Sequence, residues 1–156
     1  MRIISGKYGG RRIHPPHNMP YTRPTTDIAK EGLFNILQNR VQIEGAKTLD
    51  LFGGTGCISY ELASRGALDL TIVEKDSQML GFIKKNIEML NIENVQLLQM
   101  DVFQFLGTCK NQYDIIFAGP PYALNTIDNL PKIIVEQQLI SPTGYFILEH
   151  TPRNNY

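Results

Sequence analysis

Apolar positions along the chain switch repeatedly between a strand-like and a helix-like arrangement, and the switches predict the elements. Residues 48–52 form a short, mostly apolar run ending in glycines, which suits a buried parallel strand. Runs at 70–74, 95–100, 114–118 and 145–149 predict four more strands. Helical segments alternate with them. One covers residues 57–65 and stops at Gly66, and the next shows an apolar face of Leu80, Ile83, Ile87 and Leu90. A short one follows at 102–106, and another at 130–138, where Pro131 is tolerable only near the first turn. Upstream, Ala29, Leu33, Ile36 and Leu37 recur at helical spacing behind Thr25 or Thr26, either of which can cap the helix, while Asp27 suits its first turn. Pro120-Pro121 forbids regular hydrogen bonding after the fourth strand, and Ser141-Pro142-Thr143-Gly144 predicts a turn before the fifth. Five alternations with short links predict an α/β fold: an open parallel sheet with helices on both faces and ligands at the carboxyl ends of the strands.

Residues 1–23 stand apart from this pattern. They mix Gly6, Gly9, Gly10, Pro15, Pro16 and Pro20 with bases, a composition of turns and extended pieces, and are read as an arm preceding a single domain at 24–156. Charge sharpens that division. Fifteen Lys and Arg balance fifteen Asp and Glu overall, yet Arg2, Lys7, Arg11, Arg12 and Arg23 precede the first acid, so a +5 arm leads a −5 body. Cys57 and Cys109 have neither disulfide-framework nor zinc-site spacing, so no metal is expected and Cys57 reads as a packing residue. No apolar run approaches the roughly 20 residues that span a bilayer, and the first residues lack a signal core, so the chain is expected in the cytoplasm. His14, His17 and His150 have no partner ligands or nucleophile in the sequence and receive no catalytic part.

Chemistry gathers at the strand ends. In Asp50-Leu51-Phe52-Gly53-Gly54-Thr55-Gly56 the glycines let a ligand approach the backbone, and the following helix offers free amides. A tight turn or a dinucleotide site would look similar. NAD is disfavoured, because Ser59 stands where that motif wants a third glycine or alanine, and because Asp50 repels a pyrophosphate and suits a cation. Glu74, twenty residues after Gly54, can accept bonds from ribose hydroxyls or be a solvated charge. Asp101 can accept from an adenine amine or cap the next helix. Three carboxylates at three successive strand ends would face one crevice.

These segments resemble the cofactor motifs of class I S-adenosylmethionine-dependent methyltransferases. Arg23-Pro24-Thr25-Thr26-Asp27, Leu33-Phe34-Asn35-Ile36-Leu37 and Arg2-Ile3-Ile4-Ser5-Gly6-Lys7-Tyr8-Gly9-Gly10-Arg11 narrow the resemblance to the bacterial family that methylates the exocyclic N2 of a guanine in 16S ribosomal RNA. The resemblance runs from Arg2 to His150. It implies a Rossmann-like, mostly parallel sheet that normally has seven strands, so that this chain would lack the last two and leave an exposed edge; a monomer is favoured. It implies that Glu74 holds the ribose, Asp101 the adenine amine, and Gly54 and Gly56 the methionine end of S-adenosylmethionine. Asp50 would lie near the ammonium, Phe52 among the cofactor contacts, and Thr25 or Thr26 along the pocket. Lys7, Arg11, Arg12 and Arg23 would meet phosphates of 16S ribosomal RNA or of the assembling small subunit.

The same resemblance makes Gly119-Pro120-Pro121-Tyr122 the catalytic segment, with Tyr122 stacking on the target base. The family has Asp or Asn where this chain has Gly119. Losing a charge-assisted bond of about 1.5 to 3 kcal/mol would slow transfer roughly ten- to a hundredfold or more, unless another acceptor substitutes. A cofactor-binding RNA-binding protein without turnover is the alternative, and an NAD-linked oxidoreductase a weaker one.

Overall fold

The computed structural model describes residues 1–15, 26–120 and 128–149. Within them the order is α1 (Asp27–Leu37), β1 (Lys47–Leu51), α2 (Cys57–Ser64), β2 (Asp69–Val73), α3 (Ser77–Leu90), β3 (Val95–Leu98), α4 (Val102–Thr108), β4 (Tyr113–Ala118), α5 (Asn129–Glu136) and β5 (Ile140–Leu148). The strands form one sheet in the order β3-β2-β1-β4-β5, and every pairing is parallel. Order reverses between β1 and β4. That reversal opens a crevice at their carboxyl ends, because the connections leaving the two strands run off to opposite sides.

Alternation along the strands decides which helices cover which face. Leu49 and Leu51 of β1 and Ile116 and Ala118 of β4 pack with Val102, Phe105 and Leu106 of α4 and Leu130 and Ile134 of α5. The opposite face carries Leu70, Ile115 and Phe117 against Phe34 and Leu37 of α1 and Ile58 and Leu62 of α2. Ile72 joins Ile83 and Leu90 of α3 in a third group. Caps set three helix starts: Thr26, Asp76 and Asp101 each accept backbone amides of the first turn.

The last strand differs from the expected turn and strand. Residues 141–144 lie inside β5 as an irregularity: Tyr113 pairs with Ile140, then Ile115 with Tyr145, so β5 spends extra residues over the same stretch of β4. Asp114 holds this bulge by accepting from the Ser141 hydroxyl at 2.9 Å and the Lys47 amide at 2.9 Å. Gly144 is required because a side chain there would start 2.7 Å from the Asp114 carbonyl oxygen.

Residues 1–15 are docked on the body rather than free of it. Arg2 and Arg12 bridge antiparallel, and Ile3 and Ile13 are fully buried beside Tyr60. Gly6 makes the turn with φ +87, and a side chain there would collide with the Ser64 carbonyl. The deepest tie is Glu61, wholly buried on α2. Its carboxylate accepts the amides of Ile4 at 2.8 Å and Ser5 at 3.1 Å and pairs with Arg65 at 2.9 Å and Lys30 at 3.5 Å. Lys30, equally buried on α1, also donates to the Arg2 carbonyl at 2.6 Å. Among the described residues no helix is long and apolar enough to cross a membrane, and no cluster of side chains suits a metal ion.

Candidate active site

The loop from β1 to α2 is shaped by backbone conformations that few residues tolerate. Phe52 has φ +60 although it bears a side chain, a conformation costing on the order of 1–3 kcal/mol that only a surrounding structure can hold. Gly54 and Gly56 follow at φ +58 and +81. At Gly56 a side chain would also start 2.5 Å from the Tyr60 hydroxyl, and at Gly53 one would start 2.6 Å from Ile72. The loop therefore has no room for a Cβ at Gly53 or Gly56, and its backbone is bare at those positions.

Glu74 fastens this loop. Its carboxylate accepts the Gly54 amide at 2.9 Å and the Asp76 amide at 2.8 Å, joining the end of β2 to the loop after β1. It remains half-buried at the rim. Asp101, at the next strand end, accepts the amides of Phe103 at 3.0 Å and Gln104 at 3.2 Å through one oxygen, so it caps α4. Capping does not consume the carboxylate, which is partly exposed toward the same end of the sheet.

Asp50 is placed differently. Alternation turns it to the α2 face, where it is buried and accepts the Ser59 hydroxyl at 2.7 Å. Burial pushes its carboxyl up to about 7, the Glu74 charge adds to that rise, and the Ser59 bond works against it. A group so poised welcomes a cation, since a positive charge nearby would restore its ionised form. Ser59, which argued only against NAD in the sequence, is thus the partner of the central acid.

Gly119 and Pro120 leave β4 across the crevice from this loop, half-buried and buried respectively. Pro121, Tyr122, Thr25 and Arg23 lie outside the described residues. Thr26 is exposed and spends its hydroxyl on the Ala29 amide at 3.1 Å as the cap of α1. The basic residues of the first segment are spread out. Lys7 sits by the last turn of α2, its amide bonded to the Ser64 carbonyl at 2.7 Å, whereas Met1 reaches Thr55 in the glycine loop at 3.8 Å. Eight helical residues, roughly 12 Å of rise, separate those two ends. Lys7, Arg11 and Arg12 are all exposed. A separate depression lined by Arg40, Glu44, Asp114 and Thr143 lies at the opposite, amino end of β1 and β4, and its Asp114 is already engaged by the β5 bulge.

A glycine loop, the carboxylates of Glu74 and Asp101 beyond two strand ends, the buried Asp50 beneath the loop and Pro120 across the switch point describe a methyltransferase-type crevice, and whole-chain comparison agrees. The family described as Conserved hypothetical protein 95 matches residues 1–156. The chain belongs to this family. A ribosomal RNA small subunit methyltransferase D from Buchnera aphidicola subsp. Baizongia pistaciae is 32% identical over 164 residues, covering 100% of this chain and 83% of that protein. Among solved structures, "Putative methyltransferase yhhF from Escherichia coli" superposes with a TM-score of 0.88 at 27% identity, covering 100% of this chain and 84% of that one. A further structure, a "putative methyltransferase complexed with SAH", matches with a TM-score of 0.67 at 26% identity, over 83% of this chain and 37% of that one. Membership accounts for the parallel, Rossmann-like sheet and the glycine loop. The fold also brings forward two residues that the sequence did not single out: Glu61, whose burial no local pattern announces, and Glu149, which follows β5 and donates its amide to the Ala118 carbonyl at 2.9 Å.

Proposed function

We propose that this chain transfers a methyl group from S-adenosylmethionine to the exocyclic N2 amine of a guanine in 16S ribosomal RNA, in the cytoplasm. The observation that carries the reading is the Gly54–Glu74 bond, which sets a glycine-rich loop beside a strand-end carboxylate at the switch point of a parallel sheet. The names of the relatives support the ribosomal RNA substrate class, and the neighbour complexed with SAH supports the cofactor.

The donor set fits that cofactor. Glu74 would accept ribose hydroxyls, Asp101 the adenine amine, and the Phe52–Gly56 backbone the methionine end, with Asp50 offering its charge toward the ammonium; Thr25 or Thr26 would line the entrance. S-adenosylmethionine supplies, when bound, a methyl group already activated on a sulfonium. The protein's tasks are alignment and exclusion of water. Pro120 holds the opposite wall, Pro121 and Tyr122 complete the catalytic segment that the family resemblance implies, with Tyr122 stacking on the guanine, and the carbonyls of Gly119 and Pro120 offer hydrogen-bond acceptors to its amine. Lys7, Arg11, Arg12 and Arg23 meet phosphates.

Gly119 gives the amine no side-chain acceptor, which slows the step unless a neighbouring element provides one. The second reading, a cofactor-binding RNA-binding protein without turnover, rests on that same residue. A single-turnover assay with methyl-tritiated S-adenosylmethionine and small ribosomal subunits lacking the modification separates them. Label recovered as N2-methylguanosine supports transfer, and cofactor and RNA binding without label supports the second reading. Gly119→Asp tests the impairment: equal turnover in the variant would refute it.

A further inference from the structure

The register of β4 and β5 brings a carboxylate to the place where residue 119 has none. Ala118 pairs with Leu148, and the Glu149 amide donates to the Ala118 carbonyl at 2.9 Å as the last bond of that pair, so the residues that follow, 119 and 149, leave the two strands at the same level. In a parallel pair, neighbours at the same level point to the same face. Residues 119 and 149 are therefore side-by-side positions, one empty and one filled. The Glu149 side chain leans into the gap: a side chain beginning at residue 119 would have its first carbon 3.8 Å from Oε2 of Glu149. It would also start 3.2 Å from the Phe117 ring, which must give by a few tenths of an ångström to admit one.

We propose that Glu149 is the catalytic carboxylate of this chain, reaching from β5 to replace the acceptor that Gly119 lacks. This inference rests on the guanine-N2 reading above. Glu149 is half-buried at the carboxyl end of the sheet, beside the buried Pro120 and on the crevice wall opposite the glycine loop. A carboxylate there accepts a hydrogen bond from the guanine amine and draws its nitrogen toward the pyramidal form in which the lone pair is available. That lone pair forms the new N–C bond as the bond from the methyl carbon to sulfur breaks, and the broken bond's electrons leave on a neutral thioether. The amine then carries one proton too many. It passes to the Glu149 carboxylate and from there to water, which restores the acceptor.

Four proteins test this: the full chain, Glu149→Ala, Glu149→Gln and the double variant Gly119→Asp/Glu149→Ala. Each is assayed for single-turnover transfer to small ribosomal subunits, for S-adenosylhomocysteine affinity by calorimetry and for thermal midpoint. Glu149→Ala is expected to lose ten- to a hundredfold in the transfer rate, with cofactor affinity within twofold of the parent. Glu149→Gln, which keeps an acceptor oxygen, should retain more of the rate, and the double variant should recover at least tenfold over Glu149→Ala. A purely structural Glu149 would lower the midpoint and cofactor affinity together and would not be rescued from residue 119. Parent-like transfer by Glu149→Ala, or no recovery in the double variant, overturns the assignment while leaving the guanine-N2 reading in place. No labelled N2-methylguanosine from the parent chain overturns both.

Discussion

Ser59 donates its hydroxyl to the buried carboxylate of Asp50 at 2.7 Å, linking the first turn of α2 to the strand that precedes it. The bond holds the glycine loop closed from below, because its two ends are the last polar residue of β1 and the third residue of α2. It also opposes the rise that burial imposes on Asp50.

That rise sets a pH dependence. Asp50 titrates near 3.8 in an unfolded chain and is raised to about 7 when folded. Between those values the folded chain binds the extra proton, so the contribution of Asp50 is fully present below pH 4 and is lost as pH rises to 7. Urea midpoints of the parent and Asp50→Asn, measured from pH 5 to 8, should converge on neither side of that window equally: the parent loses stability relative to the variant up to about pH 7, then runs parallel to it. A constant difference across the range would remove Asp50 from the account. Ser59→Ala should cost about 1.5 to 3 kcal/mol at pH 8, where the acid is ionised.

Gly56→Ala should lower the thermal midpoint and weaken cofactor binding. The substitution forces φ +81 on a residue with a side chain and drives its first carbon against the Tyr60 hydroxyl. The conformational part alone amounts to about 1–3 kcal/mol. Adding Tyr60→Phe removes the hydroxyl but leaves the ring carbon 2.6 Å from the new side chain and the backbone strain in place, so the double variant should recover little of the loss. Full recovery would show that φ at residue 56 is unimportant.

Glu61→Ala should be the most destabilising single change named here. It leaves Lys30 buried without its carboxylate and frees the Ile4 and Ser5 amides, a loss of about 3–5 kcal/mol for breaking a buried pair. Because the same carboxylate docks the first segment, trypsin should cut at Lys7, Arg11 or Arg12 faster in the variant than in the parent. Unchanged cleavage would mean that Ile3 and Ile13 suffice to hold that segment.

The exposed bases should contribute to RNA affinity through salt. If Arg11 and Arg12 each neutralise one phosphate, replacing either by Ala should reduce the slope of log affinity against log salt by about 0.7 to 0.9. Lys7, displaced along α2 from the glycine loop, tests how far the RNA footprint extends. An unchanged slope in Lys7→Ala would confine contact to the end of the segment near Met1 and Thr55.

The chain itself determined the alternation of strands and helices, the glycine loop and the strand-end positions of Glu74 and Asp101, because period, β-branched runs and caps act over a few neighbouring residues; Asp50, expected at the same crevice, lies inside β1 and is turned to the α2 face. The order of the strands, the Asp50–Ser59 and Glu74–Gly54 bonds, the β5 bulge around Ser141 and Gly144, and the meeting of Lys30, Glu61 and the first segment were decided by the tertiary structure. Each joins residues whose approach depends on which strands pair and in what register. Glu61 and Glu149 show the reason most plainly: in the sequence either is an ordinary surface acid, and only packing withdraws one from water and aims the other at the gap beside Gly119.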